Sequence, residues 1–337
     1  MIEPMLDADA EDCVRLSLED ALRLGEQSLR KLGFDADEAS IAAAHLVDAS
    51  AWGYAFAGLP RIVVMADRPE LTKPRVPVTV VKESPVSALI DGGNHTGYFA
   101  LLRAVEVAIE KVRASGIALI GLRNSWFSGR NAYYLEKIAR AGFASIYVAS
   151  STPTVVPPGA TRKTLGTNPI AIALPGEPNP FIYDIGTAAV MSGEMLMRAF
   201  LGESFPEVVG IDGKGEPTRV ARDLVEGGVY PFGGYKGYGL SVAIQALGLM
   251  AGARLRNGDV CDFAHLFVAF DPNLFMPLEQ FTAELEELLS RIRNLPRQPG
   301  VDEIRIPSER GFAERDIRRR QGIVVKKRVV ERLQGML

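Results

Sequence analysis

The sequence predicts an α/β fold in which helices from both termini form a layer against a central region of strands and helices. Two observations carry this. Two amphipathic helical patterns occupy the opening fifty residues, and short β-rich runs alternate with helical stretches until an amphipathic helix and a basic segment close the chain. With 337 residues and 47% hydrophobic content the chain can bury a large core, and its length points to two or three domains.

The elements follow in order. Ser17, with Asp20 three residues on, makes a capping box, and Leu18, Ala21, Leu22, Leu29 and Leu32 share one helical face until Gly33 stops it. Gly25 interrupts that stripe and weakens the helix by about 1 kcal/mol relative to alanine. "DADEASIAAAHLVDASAWG" repeats the pattern, with acids in its first turn and apolar residues at helical spacing up to Gly53. "SAWGYAFAGLPR", Ser50 to Arg61, is its exit: a bend between two glycines that delivers one arginine. From Val76, "VPVTVVKESPVSALIDGGNHTG" reads as strand, turn, strand, and "YFALLRAVEVAIEKVRASG" as a helix ending at Gly116. "IALIGLRNS", "FASIYVAS", "PIAIALP" and "PFIYDIG" are core strands whose ends carry loops. "GLSVAIQALGLMAGARL" is a helix after a glycine cluster, "LFVAFDP" a strand, and "LEQFTAELEELLSRIRNLP" an amphipathic helix before the basic close.

Charge and cysteine content narrow the function classes. The 38 basic and 41 acidic side chains nearly cancel and form no long basic block, so neither nucleic acid nor an anionic membrane is an expected partner. Cys13 and Cys261 lack metal-like spacing, so we expect two unpaired structural thiols, no metal site and a reducing compartment. "MIEPMLDADAEDCVRL" has no apolar run for a signal peptide, and no stretch approaches the roughly 18 to 20 apolar residues of a membrane span, so the expected location is the cytoplasm. A Rossmann unit calls for a glycine fingerprint after a strand and an acid about 20 residues later. "GGYKGYG" lacks both the spacing and the acid, so a bound dinucleotide needs another fold.

Four stretches, taken together, are specific: "LGTNPIAIALP" (165 to 175), "YDIGTAAVMSGE" (183 to 194), "PFGGYKGYGLS" (231 to 241) and "LFVAFDP" (266 to 272). In this order and spacing the chain resembles the type-2 malate/L-lactate dehydrogenase family, which includes ureidoglycolate, sulfolactate and diketogulonate enzymes and the reductases of cyclic imino acids. "IPSERGFAERDIRRRQGIVV" is similar to that family's closing segment and "SAWGYAFAGLPR" to its segment after the second helix, so the resemblance covers nearly the whole chain. It implies a non-Rossmann NAD(P)-binding α/β fold with a mixed, largely antiparallel central sheet. It also implies a helical substrate and dimerisation domain from residues 1–75 and 300–337, a cofactor region over 76–299 with room for an inserted subdomain, and a homodimer with active sites near the subunit boundary.

The resemblance also assigns residues. Many relatives carry Ser-His-Gly after the second helix, the serine and histidine relaying a proton and a following arginine gripping the substrate carboxylate. Aligned on Gly53, Gly58 and Arg61, this chain has Phe56 and Ala57 in the Ser-His places. A second family histidine falls at Phe127. The loop Phe127, Ser128, Gly129, Arg130, Asn131 then implies cofactor contact, with Arg130 adding charge for a phosphate; a plain turn with a surface arginine is the competing reading. Of the remaining histidines, His45 and His265 read as structural, whereas His95 lies in a loop that could reach a site. Arg61 suits a small carboxylate or a structural salt bridge. Thr167, Ser192 and Gly193 match substrate positions, although the arginine relatives keep at Ser192 is lost; Asp184, Ile185 and Gly186 match a cofactor triplet. Glu194 keeps the acid of the imino-acid reductases or is a solvated helix-end glutamate. Tyr235 and Lys236 match a cofactor-contacting pair, and Arg310 a phosphate contact.

These substitutions tilt the expected chemistry. Protonating the alkoxide made from a ketone calls for a positioned acid worth about 10²- to 10⁴-fold, and both histidines are gone. An imine nitrogen is protonated far more readily, so the expectation is reduction of a cyclic imine bearing a carboxylate by NAD(P)H, with NADP favoured over NAD. Arg61 would hold the carboxylate, with Glu194 near the nitrogen and Tyr54 or water managing residual proton transfer. The alternatives are a 2-oxo acid/2-hydroxy acid dehydrogenase with a relocated proton donor, and a degenerate paralogue or non-hydride enzyme on the same fold.

Overall fold

A computed structural model describes residues 11–256, 259–260 and 263–337, so the expectations for Cys261 and for the first ten residues lie outside the described residues. The chain enters through β1 (Cys13–Leu16), α1 (Leu18–Lys31) and α2 (Ala36–Ala51). The Ser17 hydroxyl accepts the Asp20 N–H at 3.0 Å, and Asp35 accepts the Glu38 N–H at 2.8 Å, so each helix starts on a side-chain cap. Gly25 has a packing reason: a Cβ there would lie 3.2 Å from the Ala43 Cβ and 3.3 Å from Leu59, so the glycine lets α1 settle on α2. A single 3₁₀ turn, Ala55–Ala57, and α3 (Pro60–Met65) complete this layer.

The central region comprises β2 (Thr79–Ser84), β3 (Ser87–Asp91), α4 (Gly97–Ser115), β4 (Ile117–Arg123), α5 (Ala132–Arg140), β5 (Ala144–Ser150), β6 (Ile170–Leu174) and β7 (Phe181–Ile185). There follows an insert of α6 (Ser192–Leu201), β8 (Gly210–Ile211), β9 (Pro217–Thr218), α7 (Ala221–Glu226) and β10 (Gly228–Val229). Its strands pair in the order β10-β8-β9, and its apolar cluster around Phe205, Leu224 and Val229 takes in Val155 from the chain between β5 and β6. The chain returns through α8 (Tyr235–Met250), β11 (Leu255–Arg256), β12 (Asp259–Val260), β13 (Ala264–Phe270) and α9 (Leu278–Arg293), and closes with α10 (Glu309–Gln321), β14 (Ile323–Lys326) and α11 (Lys327–Gln334).

The main sheet has seven strands in the order β2-β3-β4-β13-β5-β6-β7. Only β3 and β4 run parallel; β13 is antiparallel to both its neighbours, so the sheet is mixed and largely antiparallel. Alternation along the strands sends Ile120, Leu122, Tyr147, Phe267 and Ala171 to one buried core shared with α4 and α5. A second core joins α1, α2 and α3 to β14 and α11, and β1 pairs antiparallel with β14, tying one end of the chain to the other. Two boundaries differ from expectation. The helix after the glycine cluster begins inside that cluster, at Tyr235, because Gly234 (φ +63°) makes the turn into it. The basic close holds a strand, β14, which exists only because a distant partner completes it. Among the described residues no helix is long and apolar enough to cross a membrane.

Candidate active site

The 3₁₀ turn at Ala55–Ala57 divides two clefts. Phe56 and Ala57 line one of about 110 Å³, whereas Tyr54 faces another of about 340 Å³. The Tyr54 and Phe56 rings lie 6.2 Å apart across the turn. Tyr54 and Phe56, on either side of Ala55, line different clefts, so the bend that sequence reasoning treated as one place serves two.

Arg61 dominates the first cleft. It is 9% exposed, its guanidinium lies 4.2 Å over the Phe127 ring, and its Nη1 is buried without a hydrogen-bond partner among the described residues. Arg68 lies 5.3 Å from the same ring and is held by Glu70 through two bonds of 2.7 and 3.0 Å. Phe127, where relatives carry histidine, therefore offers its face to two cations; a protonated imidazole there would repel both. The Phe127 backbone takes φ +58°, rare for a bulky side chain and a form of strain that collects at functional sites. Sequence reasoning missed Arg68. Its only local signal is a second arginine seven residues after the first.

The loop beneath is held from behind. His45 accepts the Arg130 N–H on Nε2 at 3.0 Å. Burial, aided by the charges of Arg130 and Lys137, pushes its imidazole well below the usual range, so the ring is neutral and positions the loop. Arg130 departs from the expected phosphate role. Its guanidinium turns inward, pairs with Asp48 and lies 4.2 Å over Trp52, because an acid on α2 lies within reach. Ser128, Gly129 and Asn131 do line the first cleft, as do Thr167, Ser192 and Gly193. His95 is buried against Glu38 at 2.9 Å and lines none of these clefts.

Asn131 and Asp184 bridge the two clefts. Asp184 accepts from the Asn131 amide at 3.0 Å and from the Ala132 N–H at 2.9 Å, and burial raises its pKa in spite of these donors. Asp184 and Ile185 line the second cleft with Trp52, Tyr183, Ser308 and Arg310; a Cβ on Gly186 would press against Met191.

The two residues expected to handle the proton are placed elsewhere. Glu194 is one turn into α6, paired with Arg198 at 3.0 Å, and does not line the cleft that holds Arg61. Tyr54 faces the second cleft. Tyr235, 77% exposed, and Lys236 stand at the start of α8, outside the clefts described here. A third cleft, of about 450 Å³ and polar, lies beyond Trp126 and is lined by Lys73, Asp91, Arg123, Asn124 and Ser125. Phe263 belongs to both the first and the third and meets Phe127 edge-on.

Comparison with known proteins bears on what such a site does. A family model described as malate/L-lactate dehydrogenase matches residues 16–334. The chain is 32% identical to a malate dehydrogenase of Pyrococcus abyssi over 346 residues, covering 96% of this chain and 94% of that protein. It is 32% identical over 243 residues to the Δ1-pyrroline-2-carboxylate/Δ1-piperideine-2-carboxylate reductase of Pseudomonas putida, covering 71% of each. The solved malate dehydrogenase of Pyrococcus horikoshii OT3 superposes with a TM-score of 0.86 at 28% identity, over 99% of this chain and 97% of that one.

Proposed function

The chain belongs to the malate/L-lactate dehydrogenase family and is an NAD(P)-dependent oxidoreductase, and from that premise we propose that it reduces a small cyclic imine bearing a carboxylate, of the pyrroline- or piperideine-2-carboxylate type. One observation carries this reading. Among the described residues, the cleft presents a buried guanidinium without an anion of its own, Arg61, beside Phe56, Ala57 and Phe127, with no carboxylic acid or imidazole along its walls. Removing a carboxylate and a ring from water is favourable where a pre-placed guanidinium and aromatic faces receive them.

The residues suit a dinucleotide as well. Trp52 and Tyr183 offer aromatic faces in the second cleft, Arg305 and Arg310 offer charge for phosphate, and Asn131 keeps a buried Oδ1 without a partner at the junction. When bound, the nicotinamide supplies the hydride. Arg61 fixes the substrate carboxylate, Phe56 and Phe127 exclude water from the reacting carbon, and Asp184 locks the amide of Asn131 by taking its N–H. A nitrogen, being more basic than a carbonyl oxygen, gains its proton without an acid tuned to carbonyl chemistry. The cationic edge at Arg305 and Arg310 supports NADP over NAD.

A second reading, reduction of a 2-oxo acid, is favoured by the likeness to malate dehydrogenases over nearly the whole chain. Oxidation of NADPH and NADH, followed with pyrroline-2-carboxylate, piperideine-2-carboxylate and matched 2-oxo acids, separates the two. Faster turnover of the oxo acids overturns the imine reading.

We further propose that residues 1–75 and 300–337 act as the substrate and dimerisation unit, 76–299 as the cofactor region, and that the enzyme is a cytoplasmic homodimer. Exposed Val242, Leu249 and Met250 on α8, with Leu119 and Ile146 on the sheet, supply further apolar surface in 76–299, so the contact with the second copy would extend beyond the terminal unit onto the cofactor region. Light scattering of the purified protein at a monomer's mass would overturn the dimer.

A further inference from the structure

Asn131 stands where the first and second clefts meet, at the start of α5. It is buried and lines the narrow cleft of Arg61, whereas its partner Asp184 lines the second. An asparagine that begins a helix ordinarily turns its side-chain oxygen back to accept an N–H of the first turn. Here the side chain makes no such bond. Asp184 takes the Ala132 N–H on one carboxylate oxygen at 2.9 Å and the Asn131 Nδ2 on the other at 3.0 Å. A carboxylate only accepts, so the amide must turn its NH2 toward Asp184 and its oxygen away from it. That oxygen is shielded from water and has no hydrogen-bond partner among the described residues. An empty buried acceptor is costly, so an amide fixed in this direction calls for a donor from outside the chain.

We propose that Asn131 selects C=N over C=O, its Oδ1 accepting the N–H of a protonated imine whose carboxylate is held by Arg61. The proposal rests on the reading that the cleft beside Arg61 receives a C=N bond. An iminium presents an N–H at the atom where a 2-oxo acid presents lone pairs, so the same oxygen attracts the first and opposes the second. A charged donor also makes the stronger bond, which favours the substrate nitrogen over the uncharged carboxamide of nicotinamide. No proton moves in the step. The hydride joins the ring carbon, the C=N π pair passes to nitrogen and cancels its charge, and the N–H present from the start stays on nitrogen. Such a contact suits a cleft with no acid among its described residues, because the proton arrives with the substrate and the amide only has to recognise it. Asp184 is then a positioning residue: a reversed amide would offer NH2 to the cleft and welcome a carbonyl.

Two planar ring acids that the enzyme does not reduce isolate this contact. Pyrrole-2-carboxylate carries an N–H beside the carbon that bears the carboxylate, and furan-2-carboxylate carries an oxygen with lone pairs at the same place. Calorimetry with wild type and NADP⁺ should give the pyrrole acid a dissociation constant at least about tenfold lower, since the buried acceptor is satisfied in one complex and opposed in the other. In Asn131→Ala the two constants should come within about threefold of each other. A merely structural role would weaken both acids together and leave their ratio alone. In Asp184→Asn the introduced amide accepts the Ala132 N–H and donates to Asn131 Oδ1, so the Asn131 NH2 turns to the cleft and the preference passes to the furan acid. That variant is isosteric and carries the readout by itself should Asn131→Ala fail to fold. Equal affinity of the wild type for the two acids, or an undiminished ratio in either variant, overturns the proposal. So does an Asn131→Ala enzyme that keeps the ratio and instead stops distinguishing NADPH from its 3-acetylpyridine analogue, because the oxygen then serves the cofactor.

Turnover keeps the proposal apart from the reading beneath it. Faster reduction of 2-oxo acids than of cyclic imines by the wild type breaks the imine reading and takes the proposal with it. Faster reduction of the imines with equal binding of the two ring acids breaks the proposal alone.

Discussion

Arg61 and Arg315 are both buried, at 9% and 8% exposure, and both lie against aromatic rings, yet their surroundings are opposite. Arg315 donates two bonds of 2.8 Å to Glu136 and lies 3.5 Å from Asp48, clamping α10 to α5 and α2. Arg61 has Phe127 and, among the described residues, no carboxylate, and one of its nitrogens lacks a hydrogen-bond partner there. A buried charge unpaired within the protein is costly. The fold that supplies acids to Arg315 withholds them from Arg61, and that difference marks Arg61 as a receptor for an anion brought from outside and Arg315 as part of the frame.

The largest effect expected from this contrast is on stability. Arg315→Met leaves Glu136 buried with half its partners, and breaking such a pair costs about 3–5 kcal/mol; urea titration at neutral pH measures it. Acid should reveal the same pair. Burial alone would raise the Glu136 pKa, but the bonds and charges of Arg315 and Arg140 outweigh it and hold the carboxyl below the usual glutamate range. A carboxyl with a depressed folded pKa contributes stability above its unfolded pKa and loses that contribution as pH falls through the folded one. The stability gap between wild type and Glu136→Gln should therefore be full at neutral pH and shrink as the medium is acidified below about pH 4.3. A gap that widened with acid would contradict the pairing.

Arg61→Met tests the other side. Removing a charge that has no internal partner should leave the melting temperature unchanged or raise it. Losing a charge-assisted bidentate grip, about 3–4 kcal/mol, should lower kcat/KM for a carboxylate substrate about 10²- to 10³-fold. A variant that lost stability and kept activity would reverse the assignment of the two arginines.

Much of this frame was legible in the sequence. The capping box at Ser17, the acids in the first turn of the second helix, apolar periodicity and β-rich runs ending in turn residues are local signals, and the helices and strands they predict are present. The pairing of β1 with β14 was hidden because neither four-residue strand carries a pattern of its own and each is defined by the other. The site divides in the same way. Arg61 was legible from its bend and the glycines around it, whereas the turning-in of Arg130 depends on Asp48 coming near it across the fold. The pairing of Glu194 with Arg198 sits at helical i,i+4 spacing, so the competing structural reading of that acid was already written in the sequence. The partners of His265 were not, since Tyr147 and Ser125 reach it only through strand order.

The finest test moves Arg61 without removing it. Gly193, the second residue of α6, lies directly against the guanidinium: a Cβ at that position would lie 2.8 Å from Arg61 Nη1 and 3.0 Å from the Phe56 ring. Both contacts are with side-chain ends that can shift, so Gly193→Ala should fold with stability within about 1 kcal/mol of wild type, the methyl also relieving the entropic cost of glycine in a helix. The shift, however, falls on the two groups that shape the carboxylate pocket. KM should rise about tenfold, equivalent to about 1.4 kcal/mol of binding, while kcat changes less, because a misplaced guanidinium weakens the grip on substrate and transition state alike. An unchanged KM would mean that the carboxylate is held somewhere other than Arg61, and the contrast between the two arginines would then describe packing alone.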